Sequence, residues 1–257
     1  MSKFSEIYNS KLFVNINSKK DFLQKVEQGL SIKKLTKNKR PLILFYIYLG
    51  SIYYAYKDKD YKEAIKIADG VYLDGFLIGW FLKMIYGKKF MRFGAEDYIY
   101  ELFDLSLKRN KKIFLLGSSN LESGNSGAVR KINNKYHGIK IAGHHGYFQK
   151  SSIVIKKIKN FKPDILIIGL GLNRQEKWVY QHLDELKNVK VIIAVGNFID
   201  ILGGKSKLPP EILKKFNLRW VYRLIKEPYR LWERYVFGLL TLFFLTAYAL
   251  KVKIIGR

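Results

Sequence analysis

Residues Lys162 to Trp178 read KPDILIIGLGLNRQEKW, and this stretch decides the fold. It begins with Pro163, runs through an apolar strand and breaks at Gly169 and Gly171. A helix then opens and carries Gln175, Glu176 and Trp178. A buried strand that ends in glycines at a helix start is how an open α/β sheet presents backbone N–H groups to an anionic ligand.

The same alternation extends outward in both directions. Lys11–Ile16 reads as a short strand, and Lys19–Leu30 has helical spacing at Phe22, Leu23, Val26 and Leu30. Pro41 opens the strand Leu42–Ile47, followed by Tyr-rich helical segments at Ser51–Tyr56 and Tyr61–Ile67. Val71–Leu73 is a strand ending at Asp74-Gly75, with a helix from Phe76 to about Tyr86. Arg92 and Gly94 precede a helix running to about Lys108. Lys112–Leu116 is a buried strand followed by Gly117-Ser118-Ser119. Glu122–Tyr136 reads as a helix, Ile139–Ala142 as a strand and Ser152–Phe161 as a helix. Val189–Val195 forms a further strand that ends in Gly196-Asn197-Phe198-Ile199-Asp200.

Strands of continuous apolar residues alternating with amphipathic helices predict a mostly parallel, Rossmann-like α/β sheet with helices on both faces. The strand ends at Asp74, Gly117, Gly169, Gly171 and Gly196 would then share one edge, where such sheets bind ligands. Position alone leaves Asp74 either an N-cap or a ligand-contacting residue. Neither a complete GxGxxG nor a GxxxxGK[ST] pattern occurs, so nothing supports a dinucleotide cofactor or a P-loop.

Composition narrows the chemistry. The 257 residues can hold one large domain, or one domain with an appendage, and 48% hydrophobic and 15% aromatic content argues for a folded protein. The absence of cysteine excludes disulfides, thiolate metal sites and a cysteine nucleophile. Four histidines without an HxH or HxxxH pair argue against a histidine metal site, and adjacent His144 and His145 diverge too much to be co-ligands. Asp58-Lys59-Asp60 reads as part of an exposed, lysine-rich loop rather than a metal-binding pair. Forty-seven Lys+Arg against 21 Asp+Glu give a charge of +26. That points to an anionic partner, although lysines spread along the whole chain also suit a merely Lys-rich surface. Met1–Asn17 has no apolar core of secretory-signal length, so the catalytic part is expected in the cytoplasm.

From Gly203 the alternation stops, which predicts a catalytic domain over 1–204 and an appendage over 205–257. Pro209-Pro210 starts a short helix, Glu211–Phe216. Leu218–Arg234 interleaves Arg219, Arg223, Lys226, Arg230 and Arg234 with Trp220, Tyr222, Tyr229 and Trp232, and Pro228 should break or bend its helix. Val236–Leu250 is almost wholly apolar. Fifteen helical residues span roughly 23 Å, short of a hydrocarbon core of about 30 Å. Flanking aromatics and cations favour a helix seated in an anionic membrane surface over a core or subunit-interface helix, and both over a spanning one.

The motifs together resemble the WecG/TagA/CpsF family, bacterial glycosyltransferases of cell-surface polysaccharide and teichoic-acid linkage-unit synthesis. Ala68–Gly75 (ADGVYLDG) is similar to the family's Ala-Asp…Asp-Gly element, and Arg92, Gly94 and Asp97 fit its next stretch. GLGLNRQEKW is close to Gly-x-Gly-x-Pro-x-Gln-Glu-x-Trp. Gly196–Asp200 is similar to Gly-Gly-x-Phe-Asp, and Trp220–Tyr235 to the C-terminal arginine stretch. The resemblance implies inverting transfer of an N-acetylmannosamine-type sugar from a UDP-sugar to an undecaprenyl-diphosphate-linked acceptor, at the cytoplasmic face of the membrane. It implies Asp74 as general base, Gln175 as a polar site residue, and Arg92, Arg223 and Arg230 near phosphates.

Further expected substrate-binding positions are Tyr46, Tyr48, Gly117, Gly169, Gly171, Asn173, Gly196, Asp200 and Arg234. Without a metal-binding Asp-x-Asp, charge on the diphosphates must be met by arginines and backbone N–H groups, so no metal or other cofactor is expected. The chain departs from the family at Tyr46 and Tyr48, which replace Thr and Asn, at Asn173, which replaces proline, and at Arg219 and Glu233, which alter charge. The phenols at 46 and 48 motivate a rival reading, a non-catalytic nucleotide-sugar or lipid-phosphate binder. The charge motivates a nucleic-acid binder, but no nucleic-acid module is visible.

Overall fold

The structure is a computed structural model and describes residues 14–31, 40–87, 90–216 and 218–255. In chain order the elements are α1 (Lys19–Ser31), β1 (Leu42–Ile47), α2 (Leu49–Lys57), α3 (Lys59–Lys66), β2 (Gly70–Leu73), α4 (Phe76–Tyr86), α5 (Ala95–Lys108), β3 (Lys112–Gly117) and α6 (Asn125–Lys135). They continue with β4 (Lys140–His144), α7 (Ser151–Phe161), β5 (Ile165–Gly169), α8 (Arg174–Gln181), β6 (Val191–Ala194), α9 (Phe198–Gly203), α10 (Glu211–Lys215), α11 (Arg219–Lys226) and α12 (Pro228–Ile255).

The six strands form one sheet in the order β2-β1-β6-β5-β3-β4, and every pairing is parallel. Successive strand residues point to opposite faces, so a strand buried at every position is covered on both sides. β2 and β6 are buried throughout, and β1, β3 and β5 at all but one terminal residue. The Rossmann-like α/β architecture expected from the sequence is therefore the one formed. Gly117 pairs with Gly169 in register, and Ile168 with Ala194, so the C-terminal ends of β3, β5 and β6 finish nearly level.

The appendage folds back on this body. Pro228 starts α12 instead of bending a continuous helix, because a missing N–H costs nothing in a helix's first turn. One stripe of α12 is buried, at Leu231, Tyr235, Gly238, Leu242, Leu245 and Ala249, and it packs against α2 and α4. A side chain at Gly238 would come within 2.8 Å of the Leu49 carbonyl, so glycine sets how closely α12 approaches the start of α2. Phe237 stacks on Tyr53 beside that crossing, with centroids 5.3 Å apart. The opposite face exposes Trp232, Leu240, Phe243, Phe244 and Leu250. Leu231–Val252 is long and apolar enough, by length and composition, to cross a membrane, with 39% of its apolar window buried.

Three local expectations change. Residues 14–17 form no strand, and Lys11–Phe13 lie outside the described residues. The N–H groups of Asn15 and Ile16 both donate to the Val71 carbonyl, while Asn15 Oδ1 accepts from Val71 N at 2.8 Å, which pins a loop to the sheet's edge strand. Asp58 is not in an exposed loop. It caps α3 by accepting from Tyr61 N and pairs with Lys177 Nζ at 2.7 Å, tying α3 to α8. The helix expected from Glu122 begins at Asn125, because Asn125 turns inward and donates to the carbonyls of Leu115 and Gly117.

Candidate functional site

The floor of the site is backbone. A methyl group on Gly117 would strike the Gly169 carbonyl, one on Gly169 the Gly196 carbonyl, and one on Gly196 the Tyr46 hydroxyl. Gly196 also has φ of 58°, which favours glycine. This row runs across the C-terminal edge from β3 to β1 and lets strand ends and turns meet without side chains between them. Gly171, at φ 87°, has open space where a side chain would stand. Gly169, Gly171 and Gly196 line a cavity of about 450 Å³, together with Tyr46, Tyr48, Asp200, Arg223 and Arg234.

A smaller cavity of about 60 Å³ adjoins it, sharing Tyr48, Arg223 and Tyr235, and its lining includes Asp74, Arg92 and Trp220. The fold brings these together in a definite way. Asp74 follows β2, with its N–H bonded to the Ile47 carbonyl at the end of β1. Gly75, at φ 146°, then turns the chain into α4. Arg92 lies in register with Leu73 through an isolated parallel bridge, and Phe93 N donates to the Leu73 carbonyl at 3.1 Å. A carboxylate and a guanidinium from separate segments thus meet at one strand end. Arg223 arrives from α11, and it lines both of these cavities and a third.

Tyr48 joins the two halves of the site. It is the N-cap residue of α2, and its phenol is set beside the Arg234 guanidinium of α12, whose charge acts on it and which is itself held charged by Tyr48 and Tyr54. Burial raises the Tyr48 phenol's pKa, against the pull of Arg234 and Arg223. The phenol is neutral at physiological pH and serves as a fixed dipole. Arg234 was expected to meet substrate. It lines the cavity but is already engaged by two phenols. Arg230 belongs to the first turn of α12, and its side chain lies outside the described residues.

Beneath the floor lies a buried polar pair. Gln175 and Glu176 are both fully inaccessible, so neither lines the cavity. Gln175 Nε2 donates to Glu176 Oε1 at 2.8 Å, and Gln175 Oε1 accepts from Gly196 N at 3.2 Å. Burial, followed by Glu176, raises the Tyr46 phenol's pKa well above the ordinary value, against the pull of the neighbouring Gln175 side chain. Gln175 therefore clamps the β6 turn from below instead of reaching toward a ligand. Burial pushes the Glu176 carboxyl up to about 7, and its Oε2 has no hydrogen-bond partner. Sequence reading noted Glu176 only as a residue of the helix, because spacing cannot reveal that both polar neighbours turn inward.

The remaining expected positions fall into place around this centre. Asn173 is the N-cap of α8 at φ 73°, a conformation closed to proline, whose ring fixes φ near −65°. The departure from the family pattern is therefore a different backbone turn, and its buried Oδ1 has no partner. Asp200 accepts a hydrogen bond from Ser118 Oγ and lies 3.8 Å from Lys205 Nζ, which links the ends of β3 and β6. Trp220, Ser118, Tyr147 and Lys205 also line the cavities and were not singled out in advance. The signals present in sequence were the Gly117-Ser118-Ser119 turn and the aromatic–cation interleaving of the tail. Among the described residues, no group of three or more acidic or histidine side chains gathers as a metal site would require.

A family model described as the glycosyl transferase WecG/TagA/CpsF family matches residues 16–254. The chain is similar to the N-acetylglucosaminyldiphosphoundecaprenol N-acetyl-beta-D-mannosaminyltransferase of Bacillus subtilis (strain 168). The two are 31% identical over 223 residues, covering 86% of this chain and 82% of that protein. Proteins of the same name from Staphylococcus aureus strains MRSA252 and MW2 are 35% and 34% identical, over 52% of each chain.

Proposed function

The chain belongs to the WecG/TagA/CpsF family of glycosyltransferases, and we propose that it moves an N-acetylmannosamine-type sugar from a UDP-sugar to an undecaprenyl-diphosphate-linked N-acetylglucosamine. The names of the relatives supply the acceptor and the sugar. The observation that carries the reading is the meeting of Asp74, Arg92 and Arg223 around one cavity at the sheet's C-terminal edge.

In the proposed reaction the acceptor hydroxyl attacks the anomeric carbon from the face opposite UDP. The new C–O bond forms as the bond to the β-phosphate oxygen breaks, so configuration inverts. The hydroxyl proton passes to the Asp74 carboxylate, and the electron pair leaves with UDP. Negative charge growing on the diphosphate is met by Arg92 and Arg223, which the fold brings to the cavity before reaction, so little reorganisation is needed. These cations are the reason to propose that no divalent metal is required. The exposed apolar face of α12 supports docking on a membrane surface. Its buried stripe is occupied by α2 and α4, so a lipid-facing role falls to Trp232, Leu240, Phe243 and Phe244.

The experiment is to incubate the protein with a panel of UDP-sugars and a lipid-diphosphate-GlcNAc analogue, and to analyse products by mass. One added N-acetylhexosamine on the lipid, formed equally well with EDTA present, is the expected result. UDP binding without any product from any donor would instead support the non-catalytic reading that Tyr46 and Tyr48 motivate.

A further inference from the structure

A third cavity, of about 440 Å³, opens beside the main one and shares Asn197, Lys205, Ser206, Arg223 and Glu227 with it. Its remaining lining residues include Lys207, Pro209, Tyr222 and Lys226. Four cations therefore face this space, Lys205, Lys207, Arg223 and Lys226, against the single carboxylate Glu227 among the lining residues, with Asp200 lying 3.8 Å from Lys205 Nζ at the border with the main cavity. The three lysines are exposed, and Lys226 lies 5.9 Å from the Tyr222 ring centroid, within reach of a weak cation–π contact. A cluster of like charges around a concavity repels itself, and that repulsion is relieved when an anion enters.

The surroundings are not those of an ordinary solvated basic patch. The chain around these residues also exposes large apolar side chains: Ile212 in α10 and Phe216 just after it, Ile225 in α11, the helix that supplies Tyr222, Arg223 and Lys226, and Tyr229 in the first turn of α12. Ile225 is 72% exposed and Tyr229 94%. A basic hollow with apolar knobs beside it suits an anionic head joined to an apolar tail. The transfer reaction brings two diphosphates together, one on the nucleotide and one on the lipid. On the reading above, Arg92 and Arg223 in the cavity holding Asp74 meet the nucleotide's diphosphate, which leaves the lipid's to further cations. We propose that the Lys205–Lys207–Lys226 cavity is the seat of the lipid-linked diphosphate of the acceptor, with Arg223 standing between the two diphosphates. This assignment rests on the glycosyltransferase reading above.

The test is the double variant Lys207→Ala/Lys226→Ala, with Lys207→Arg/Lys226→Arg as the charge-preserving control. Both positions are exposed, so circular dichroism and Tm should match the parent. In transfer assays the KM for a lipid-diphosphate-GlcNAc acceptor should rise about tenfold while the KM for the UDP-sugar stays constant, and the arginine variant should restore it. An unchanged acceptor KM, or a donor KM rising in step, would overturn the proposal. A second arm needs no turnover. Titration with farnesyl diphosphate should weaken about tenfold in the alanine variant, while binding to phosphatidylglycerol vesicles is retained. Loss of vesicle binding with farnesyl diphosphate binding intact would assign the lysines to the bulk membrane and sink the proposal. Because this arm reads binding alone, a parent protein that transfers no sugar would refute the glycosyltransferase reading without deciding the fate of this cavity.

Discussion

The backbone N–H of Gly196 donates to Gln175 Oε1 at 3.2 Å, so a buried side chain of α8 holds the turn after β6 from beneath the ligand cavity. Gln175→Ala leaves that buried N–H without a partner, at a cost of about 1–3 kcal/mol. The expected outcome is a lower Tm together with a several-fold higher KM for the UDP-sugar, since Gly196 lines the cavity floor. Thermal melts and steady-state kinetics on the same sample check it. A lowered Tm with unchanged KM would separate the turn from donor binding.

Glu176 predicts a pH dependence of stability with a definite sign. Burial raises its folded-state pKa from 4.5 to about 7. The folded protein thus holds this proton more tightly than the unfolded chain does. Its contribution to stability is greatest below about pH 4.5, falls as pH rises toward 7, and levels off above. The span is about 3 kcal/mol at most. Urea unfolding of the parent and Glu176→Gln across pH 5–8 should diverge, with the variant gaining relative stability as pH rises. Parallel curves would show that the carboxyl is not held neutral.

Asp74→Asn keeps the shape of the strand end and removes the proton acceptor. A positioned general base contributes typically 10²–10⁴-fold, so kcat should fall by at least about a hundredfold while UDP binding, measured by calorimetry, stays within a few-fold of the parent. Substantial turnover in this variant would move the base elsewhere.

Tyr48→Phe removes the hydroxyl that meets Arg234. Hydrogen bonds to charged groups contribute about 1.5–3 kcal/mol. The loss should appear as faster amide exchange in α11 and α12 with β1 and β6 unaffected, and as reduced transfer to the lipid acceptor. Uniform exchange across both regions would show that Arg234 does not depend on this contact to hold the tail.

Phe243→Ser/Phe244→Ser should leave Tm unchanged, because both side chains are more than half exposed. It should also lower co-sedimentation with anionic vesicles about tenfold. Retained sedimentation would place membrane contact on a different surface.

The parallel sheet was legible because strands such as Ile165–Ile168 and Val191–Ala194 are apolar on both faces, a pattern that only two-sided burial requires. Asp74 and the glycine strand ends were legible for a related reason: a chain that leaves a strand and enters a helix must turn, and the turn residues reach the ligand edge. The site's depth was not legible. Gln175 reads as polar and therefore as available, yet its neighbours enclose it completely. Asp58 sits among lysines in sequence and therefore reads as exposed, yet it pairs with Lys177, which is remote in the chain. Asn173 reads as a simple replacement for proline, whereas its positive φ makes it a different turn. The misses at Gln175 and Asp58 concern which way a side chain points once distant segments meet, and the one at Asn173 a local backbone turn; periodicity carries no information about either.

The glycine row from Gly117 through Gly169 to Gly196 has a consequence for how this enzyme's selectivity can change. A floor built from peptide groups offers the same partners to any donor, and it tolerates almost no substitution, because any added carbon strikes a neighbouring carbonyl or the Tyr46 hydroxyl. On the reading proposed above, discrimination between sugars falls to the surrounding walls, chiefly Tyr48, Trp220 and Arg223. Two of those three belong to the appendage. Divergence in sugar preference should therefore accumulate in the last fifty or so residues and leave the sheet edge untouched.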